Sequence, residues 1–375
     1  MDRSPVLIAL GGMLAVAAGI GIGRFVYTPI LPPMIAALGL SKATAGLIAS
    51  ANFAGYLAGA LGAARASLPG SRRAWLLGAL LASAVTTGAM GFVDTVPAFM
   101  ALRFLGGVAS ALVLILASAL VLDRLAEARR PGLAALHFAG VGVGIAASAL
   151  LVALLPGDWA AMWRASGALA LIAALAVALL VPSAASHPAA ASSRLAAERD
   201  PRLRRMTLAY GLFGFGYVIT ATFLVAIVRA TPSVRALEPV IWIVVGLAAS
   251  PSVWFWTALA RRIGLAGGFA AACLAEAAGV LASVVWPSLV GICVAAVLVG
   301  GTFMGLTALG LMRGRELAAG GDPRRVMAAM TGAFGVGQIV GPVVAGVVAE
   351  WTGGFGAPSV AAAGALVVAA WLGRR

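Results

Sequence analysis

The chain of 375 residues is 62% hydrophobic and only 10% charged, with a mean hydropathy of +1.05. A water-soluble domain carries about 25% charged residues, so this composition excludes a soluble surface and makes the bilayer the expected solvent. A formal charge of +14 would point to nucleic acid on a soluble protein, but here the basic residues form short clusters between apolar runs, and no nucleic-acid partner is expected.

A bilayer crossing takes about 20 mostly apolar residues. With Pro, Gly and charge clusters as punctuation, twelve spans emerge in order: 6–38, 43–64, 74–93, 97–121, 132–155, 159–182, 206–229, 239–260, 264–286, 288–312, 326–349 and 356–373. The first follows a basic start, but its apolar run exceeds the ~7–15 residues of a signal peptide core and reads as an uncleaved helix. Within it, GIGRFVYTPILP (21–32) sets Arg24, Tyr27 and Thr28 on one helix face at i, i+3 and i+4. An arginine at mid-span costs about 2.5–3.5 kcal/mol on insertion scales, so Arg24 needs a partner, water or a ligand. Its guanidinium fork suits a carboxylate or phosphate; a structural ion pair or carbonyl contact is the other reading. Pro29, Pro32 and Pro33 remove backbone donors and predict a bend towards the outer face.

The second span adds Asn52 and Tyr56 at i, i+4. The fourth carries Arg103, followed at four-residue steps by Gly107 and Ala111; such small residues let helices approach closely. The fifth holds His137 and the run Gly140-Val-Gly142-Val-Gly144. Residues 183–205 lack apolar periodicity and read as a linker. The seventh span offers Tyr217 and Thr220, and the ninth holds Glu276, the one acid clearly at mid-span. The eleventh contains Gly337-Gln338-Ile-Val-Gly341-Pro342. Cys273 and Cys293 lie in apolar runs with no ligand-forming neighbours and read as inert thiols; no metal or other cofactor is expected.

Of the 26 Lys and Arg residues, Lys42, Arg164, Arg229 and Arg235 fall on one side of this topology, Arg24 and Arg103 lie within spans, and the rest fall on the other side. That asymmetry places both termini in the cytoplasm, in an inner-membrane protein.

Six spans precede the linker and six come after it, and the halves repeat at an offset of about 194 residues. GIGRFVYTPIL (21–31) aligns with GFGYVITATFL (214–224), Gly106-Gly107 with Gly300-Gly301, and Gly140-Val-Gly142 with Gly335-Val-Gly337. Arg24 therefore corresponds to Tyr217 and Tyr27 to Thr220. Two parallel six-helix halves are the plan of a major facilitator superfamily transporter: an all-α membrane protein with bundles 1–182 and 206–375.

Family motifs agree with that plan. Arg103-Phe-Leu-Gly-Gly107-Val-Ala-Ser-Ala111 resembles the superfamily's fourth-helix motif, and the glycine runs of the fifth and eleventh spans resemble its packing and bending motifs at the half-to-half interface. GIGRFVYTPILPPM, AGLIASANFAGYLAGAL (45–61), YGLFGFGYVITATFL (210–224) and FGVGQIVGP (334–342) are similar to the YbfB/YjiJ-type group, over nearly the whole chain. The resemblance implies a central cavity lined by the first, fourth, seventh and tenth helices. It makes Arg24, Tyr27, Thr28, Asn52, Tyr56, Tyr217 and Thr220 candidate cavity residues. Arg103, His137, Glu276 and Gln338 become candidates for coupling or gating. For Arg103, a cavity-side role linked to proton movement and simple snorkelling to the interface both stay open. One departure stands out. The loop after the second span carries Arg65, Arg72 and Arg73 but lacks the family's acid, leaving Asp123 or Glu127 as gate partners.

No nucleotide-binding motif occurs, which leaves a proton-coupled or facilitated cycle for a small anionic or amphipathic solute, carried by a monomer. A membrane-embedded lipid-modifying enzyme would need acids or histidines clustered at one face, and the sequence offers none. A transporter-fold sensor would favour an added tail or soluble domain, and the last span ends close to Arg375.

Overall fold

In the computed structural model, residues 4–65, 70–181, 200–318 and 323–374 are described. Twelve helices among them are long and apolar enough to cross a membrane: α1 (Pro5–Leu38), α2 (Lys42–Ala63), α3 (Arg72–Phe92), α4 (Val96–Glu127), α5 (Pro131–Ala153), α6 (Trp159–Leu180), α7 (Pro201–Ala230), α8 (Pro232–Ala249), α9 (Ser252–Val285), α10 (Leu289–Leu317), α11 (Arg325–Trp351) and α12 (Gly356–Arg374). Short polar residues start several of them. Ser71, Asp158, Asp200 and Ser288 each accept a hydrogen bond from a backbone N–H of the first turn, satisfying donors that the helix leaves open. The cap at Asp200 corrects one expectation: the linker read as 183–205 is already helical from Pro201, while residues 182–199 lie outside the described residues. Asp200 supplies the acceptor and Pro201 the preset φ that start α7 there. Helix α8 passes within two residues into α9, and the eighth crossing turns into the ninth at Gly264, whose φ of 78° and ψ of 160° no helix accommodates.

The bend in α1 also differs from expectation. Residues Ala17–Ile22 wind wide, with Gly23 N–H reaching Ala18 O at 3.0 Å and Phe25 N–H reaching Ile20 O at 3.3 Å, and regular helix resumes only at Tyr27. Pro32 and Pro33 sit inside the resumed helix. The break precedes the prolines because α1 packs there against the glycines of α5: a Cβ on Gly21 would lie 2.6 Å from Gly144 Cα. Pro29 contributes differently. Its missing N–H removes the four-residue helical bond to the Phe25 carbonyl, which accepts instead from Thr28 N–H at 3.3 Å and from Trp242 Nε1 of α8 at 3.2 Å. The repeat partner, α7, runs unbroken from Pro201 to Ala230.

Helices α1–α6 pack into one bundle and α7–α12 into the other; α2 against α11, α5 against α8 and the second part of α1 against α7 join them. Both chain ends lie on one face, here the terminal face, and the opposite face is distal. Thr28 Oγ1 donates to Ala221 O at 2.6 Å, and these two positions correspond in the repeat, so the pseudo-twofold axis passes between them. Ser50 Oγ donates to Ile339 O at 2.6 Å, Lys42 Nζ to Ala349 O at 3.2 Å, and Ala43 N–H to Glu350 Oε1 at 3.3 Å. These contacts run from mid-depth to the distal end and clamp the halves together there.

The glycine motifs divide between two tasks. Gly142 meets Gly246 of α8 and Ser250 just after it, and the Pro342 carbonyl meets Gly46 of α2, at the seams between halves. Gly140 and Gly144 instead pack on Met13 and Ala17 of α1, and Gly337 and Gly341 on Gly211, Phe215 and Val218 of α7. The expectation that all of them serve the interface between halves is corrected by helix geometry: residues four apart share a face, and the one between them points away. A side chain at Gly46 would place its Cβ 2.2 Å from the Pro342 carbonyl, whereas one at Gly62 meets nothing within 4 Å. Gly46→Leu is therefore expected to lower the melting temperature in detergent by several degrees, the scale of an overpacking penalty of about 1–3 kcal/mol. Gly62→Leu should leave it unchanged in the same scanning-fluorimetry experiment.

Candidate functional site

The break in α1 exposes carbonyls in the middle of the bundle, and Arg103 of α4 answers them. Its Nη1 donates to Gly23 O and its Nη2 to Arg24 O, both at 3.1 Å. The guanidinium lies 5.0 Å from the Tyr27 ring and 6.0 Å from the Trp163 ring. A cation at the carbonyl end of a helical segment is where the backbone dipole favours it. Arg103 is only 3% exposed, so it does not snorkel; it is a strut across the broken helix.

Three residues expected on the cavity wall serve the same scaffold. Tyr27 donates its hydroxyl to Ala45 O of α2 at 2.8 Å, Thr28 bonds Ala221 as above, and Asn52 Nδ2 donates to Arg103 O at 2.9 Å. All three are buried. The expectation of a polar stripe open to solute is thus corrected at these positions, because a hydroxyl or amide inside a membrane helix bundle lowers its energy by bonding a neighbouring backbone carbonyl.

Arg24 is different. It is 6% exposed, and its guanidinium lies 4.6 Å from both the Phe53 and the Tyr56 ring centroids and 5.4 Å from Phe25. Nε and Nη2 have no hydrogen-bond partner among the described residues. These two nitrogens share one edge of the planar group, the edge whose N–H bonds run parallel and match the two oxygens of a carboxylate.

Across the axis, Tyr217 stands at the corresponding place on α7 and lies close enough to Arg24, Tyr56 and Glu276 to interact electrostatically. Its ring stacks with Phe213 of α7 at 5.1 Å and stands 5.8 Å from both Phe303 of α10 and Phe334 of α11, within 1° and 5° of parallel to them. The Tyr217 hydroxyl accepts a hydrogen bond from Gln338 Nε2, and Gln338 Oε1 is left without a donor among the described residues. Thr220 Oγ1 is likewise buried and unpartnered. Glu276 on α9 is fully buried beside the Thr302 hydroxyl of α10, which donates to its own helix at Leu298 O, and by geometry neither carboxyl oxygen has a hydrogen bond within the described residues.

The structure therefore gathers Arg24, Tyr56, Tyr217, Gln338 and Glu276 about one region. His137 is elsewhere: it sits in the first turns of α5, packed against Phe138 and Gly12, with Nε2 3.1 Å from Ser118 Oγ. The basic loop after α2 finds one acid, Arg72 Nη1 lying 3.9 Å from Asp123 Oδ2. An open groove of about 610 Å³ runs between α3 and α4, lined by Trp75, Gly78, Ala82, Leu105 and Leu112, and does not touch the Arg24 group. The aromatic wall of Phe53, Phe303 and Phe334 escaped the sequence reading, since phenylalanines in apolar spans carry no mark of which way they face.

The family model described as "Uncharacterised MFS-type transporter YbfB" matches residues 16–374. No protein of the curated set matches the chain. Among solved structures, the nucleoside transporter NupG is similar at 18% identity, with 98% of this chain and 97% of that chain covered and a TM-score of 0.72. A bacterial homolog of the human lysosomal transporter Spinster, in an inward-facing and unoccupied conformation, is similar at 16% identity, with 99% and 97% covered and a TM-score of 0.74. At these identities the likeness shows the fold.

The two buried arginines should respond differently to mutation. Removing the Arg103 fork frees two carbonyls from charge-assisted bonds worth about 1.5–3 kcal/mol each, whereas the Arg24 edge has no protein partner to lose. Arg103→Ala is expected to lower the melting temperature and the monodisperse yield in detergent far more than Arg24→Met. An equal loss in both variants would contradict the assignment of Arg103 as strut and Arg24 as open donor.

Proposed function

The chain belongs to the YbfB-type family of major facilitator superfamily transporters, and on that premise we propose that it is a secondary transporter of a small anionic solute held by Arg24. The observation that carries this reading is the unpartnered Nε and Nη2 edge of a buried guanidinium at mid-span. A charge in that position costs several kcal/mol, and two parallel donors with no acceptor among the described residues are donors kept for a ligand. The site lies beside the pseudo-twofold axis, where rocking of the halves would expose it to each face in turn. The distal clamp of Thr28, Ser50 and Lys42 then marks a state closed on that side.

The orientation rests on the arginine asymmetry: the terminal face is cytoplasmic and the distal face external, in the inner membrane, with a monomer as the working unit. Coupling to protons falls to Glu276, a buried carboxyl without a hydrogen-bond partner among the described residues, near enough to Tyr217 to influence the Arg24 region.

Counterflow in proteoliposomes tests the Arg24 assignment. Arg24→Ala and Arg24→Lys should both lower exchange of an anionic solute at least tenfold, since an ammonium keeps the charge but not the paired donors. Unimpaired exchange in either would remove Arg24 from the site. Glu276→Gln is expected to abolish accumulation driven by an imposed pH gradient, and retained accumulation would remove Glu276 from coupling.

A further inference from the structure

Only 7% of the chain is aromatic, yet the surroundings of the Arg24 edge are mostly rings. Phe25, Phe53 and Tyr56 line the side of the first bundle, and Tyr217, Phe303 and Phe334 that of the second. The Phe25 and Phe303 rings meet edge to face at 5.6 Å, joining the two sets across the interface between halves. The near-parallel rings of the second bundle pack on one another and on Phe213, so their faces are taken up, and what they can offer a guest is ring edges, which favour the flat face of an aromatic ring.

The charge of the guest is limited by the same surroundings. Arg103, the other buried guanidinium of the region, is committed to the Gly23 and Arg24 carbonyls. A dianion would find one free pair of parallel donors, at Arg24; Arg103 has already divided its two terminal nitrogens between carbonyls, so a second anionic group would have no fork to bind. A monoanion fits, and two oxygens in one plane fit the Nε and Nη2 edge best.

Resting on the transport reading above, we propose that the substrate is a planar aromatic monocarboxylate. Its carboxylate is bound by the Arg24 edge, and its ring meets the edges of Tyr217, Phe303 and Phe334. The half-buried Tyr56 ring, stacked on the Arg24 guanidinium, covers the carboxylate end.

The test uses the purified full chain in detergent with benzoate, phenylacetate and cinnamate, each paired with its cyclohexyl analogue, plus benzamide and phenyl phosphate, read by titration calorimetry. At least one aromatic acid should bind, and its cyclohexyl analogue should bind about 2- to 12-fold more weakly, the worth of an edge-to-face ring pair. Benzamide and phenyl phosphate should bind more weakly than benzoate. Arg24→Ala should weaken the aromatic acid about 10- to 100-fold, as expected for lost charge-assisted bonds. Phe334→Leu should bring each acid and its analogue to equal affinity while keeping binding of both. Equal affinity of acid and analogue in the unaltered protein overturns the aromatic assignment and leaves the anion-transport reading standing. Tighter binding of phenyl phosphate overturns the monoanion. Failure of every acid to bind overturns the proposal, and if counterflow of a broad anion set also fails, the transport reading falls with it.

Discussion

The organisation of the centre depends on one contact, the Arg103 guanidinium on the carbonyls of Gly23 and Arg24. A helix that opens in a membrane leaves backbone acceptors with no water to satisfy them. With a planar cation across the gap, the opening becomes a stable shape around which the neighbouring groups are arranged. Arg24, at the opening, turns its side chain to the aromatic wall while its own carbonyl is held by Arg103. Asn52 fixes the Arg103 backbone, and the Phe25 carbonyl is shared between Thr28 N–H of its own helix and Trp242 of the other half. Two arginines within one short region thus have different roles: Arg103 spends both terminal nitrogens on backbone carbonyls, and Arg24 keeps its Nε and Nη2 edge without a partner among the described residues.

The repeat is kept in the scaffold and broken at the site. Gly140 and Gly144 seat α5 on α1 as Gly337 and Gly341 seat α11 on α7, so the packing of the halves is twofold, with these helices matching two residues off the register that pairs Gly140 with Gly335 in the sequence. The wide turn of α1 has no counterpart in α7, and Arg24 faces Tyr217 rather than a second arginine. A symmetric pair of buried cations would repel across the axis; a phenol ring in that place keeps the depth and removes the repulsion.

The twelve crossings and the repeat were legible in the sequence because they rest on local composition and on spacing, which need no knowledge of neighbours. The position of the break was not. Prolines are conspicuous in sequence, but the wide turn arises from contact between Gly21 and Gly144, far apart along the chain. The polar stripe of Arg24, Tyr27 and Thr28 was legible as a stripe, yet its members serve different ends. Tyr27 and Thr28 find carbonyls on α2 and α7 within reach, and Arg24 finds rings. Residue type and spacing are the same before folding; only the acceptors that the neighbouring helices bring near decide which polar group is used for structure. Glu276 was conspicuous as the lone mid-span acid, and its closeness to Tyr217 depends on how α9 packs behind α7 and α10.

The bond from Thr28 to Ala221 has a further consequence. In a twofold homodimer a residue on the axis meets its own copy, and whatever one offers the other must offer too. Joining the halves in one polypeptide lifts that obligation, so one copy keeps a hydroxyl as donor while the other presents only a carbonyl. The result is a directional fastening at the point about which the two halves are related, where rotation displaces atoms least. Such a fastening can persist through small rocking movements and must let go in large ones, which makes position 28 a natural measure of how far the halves have turned.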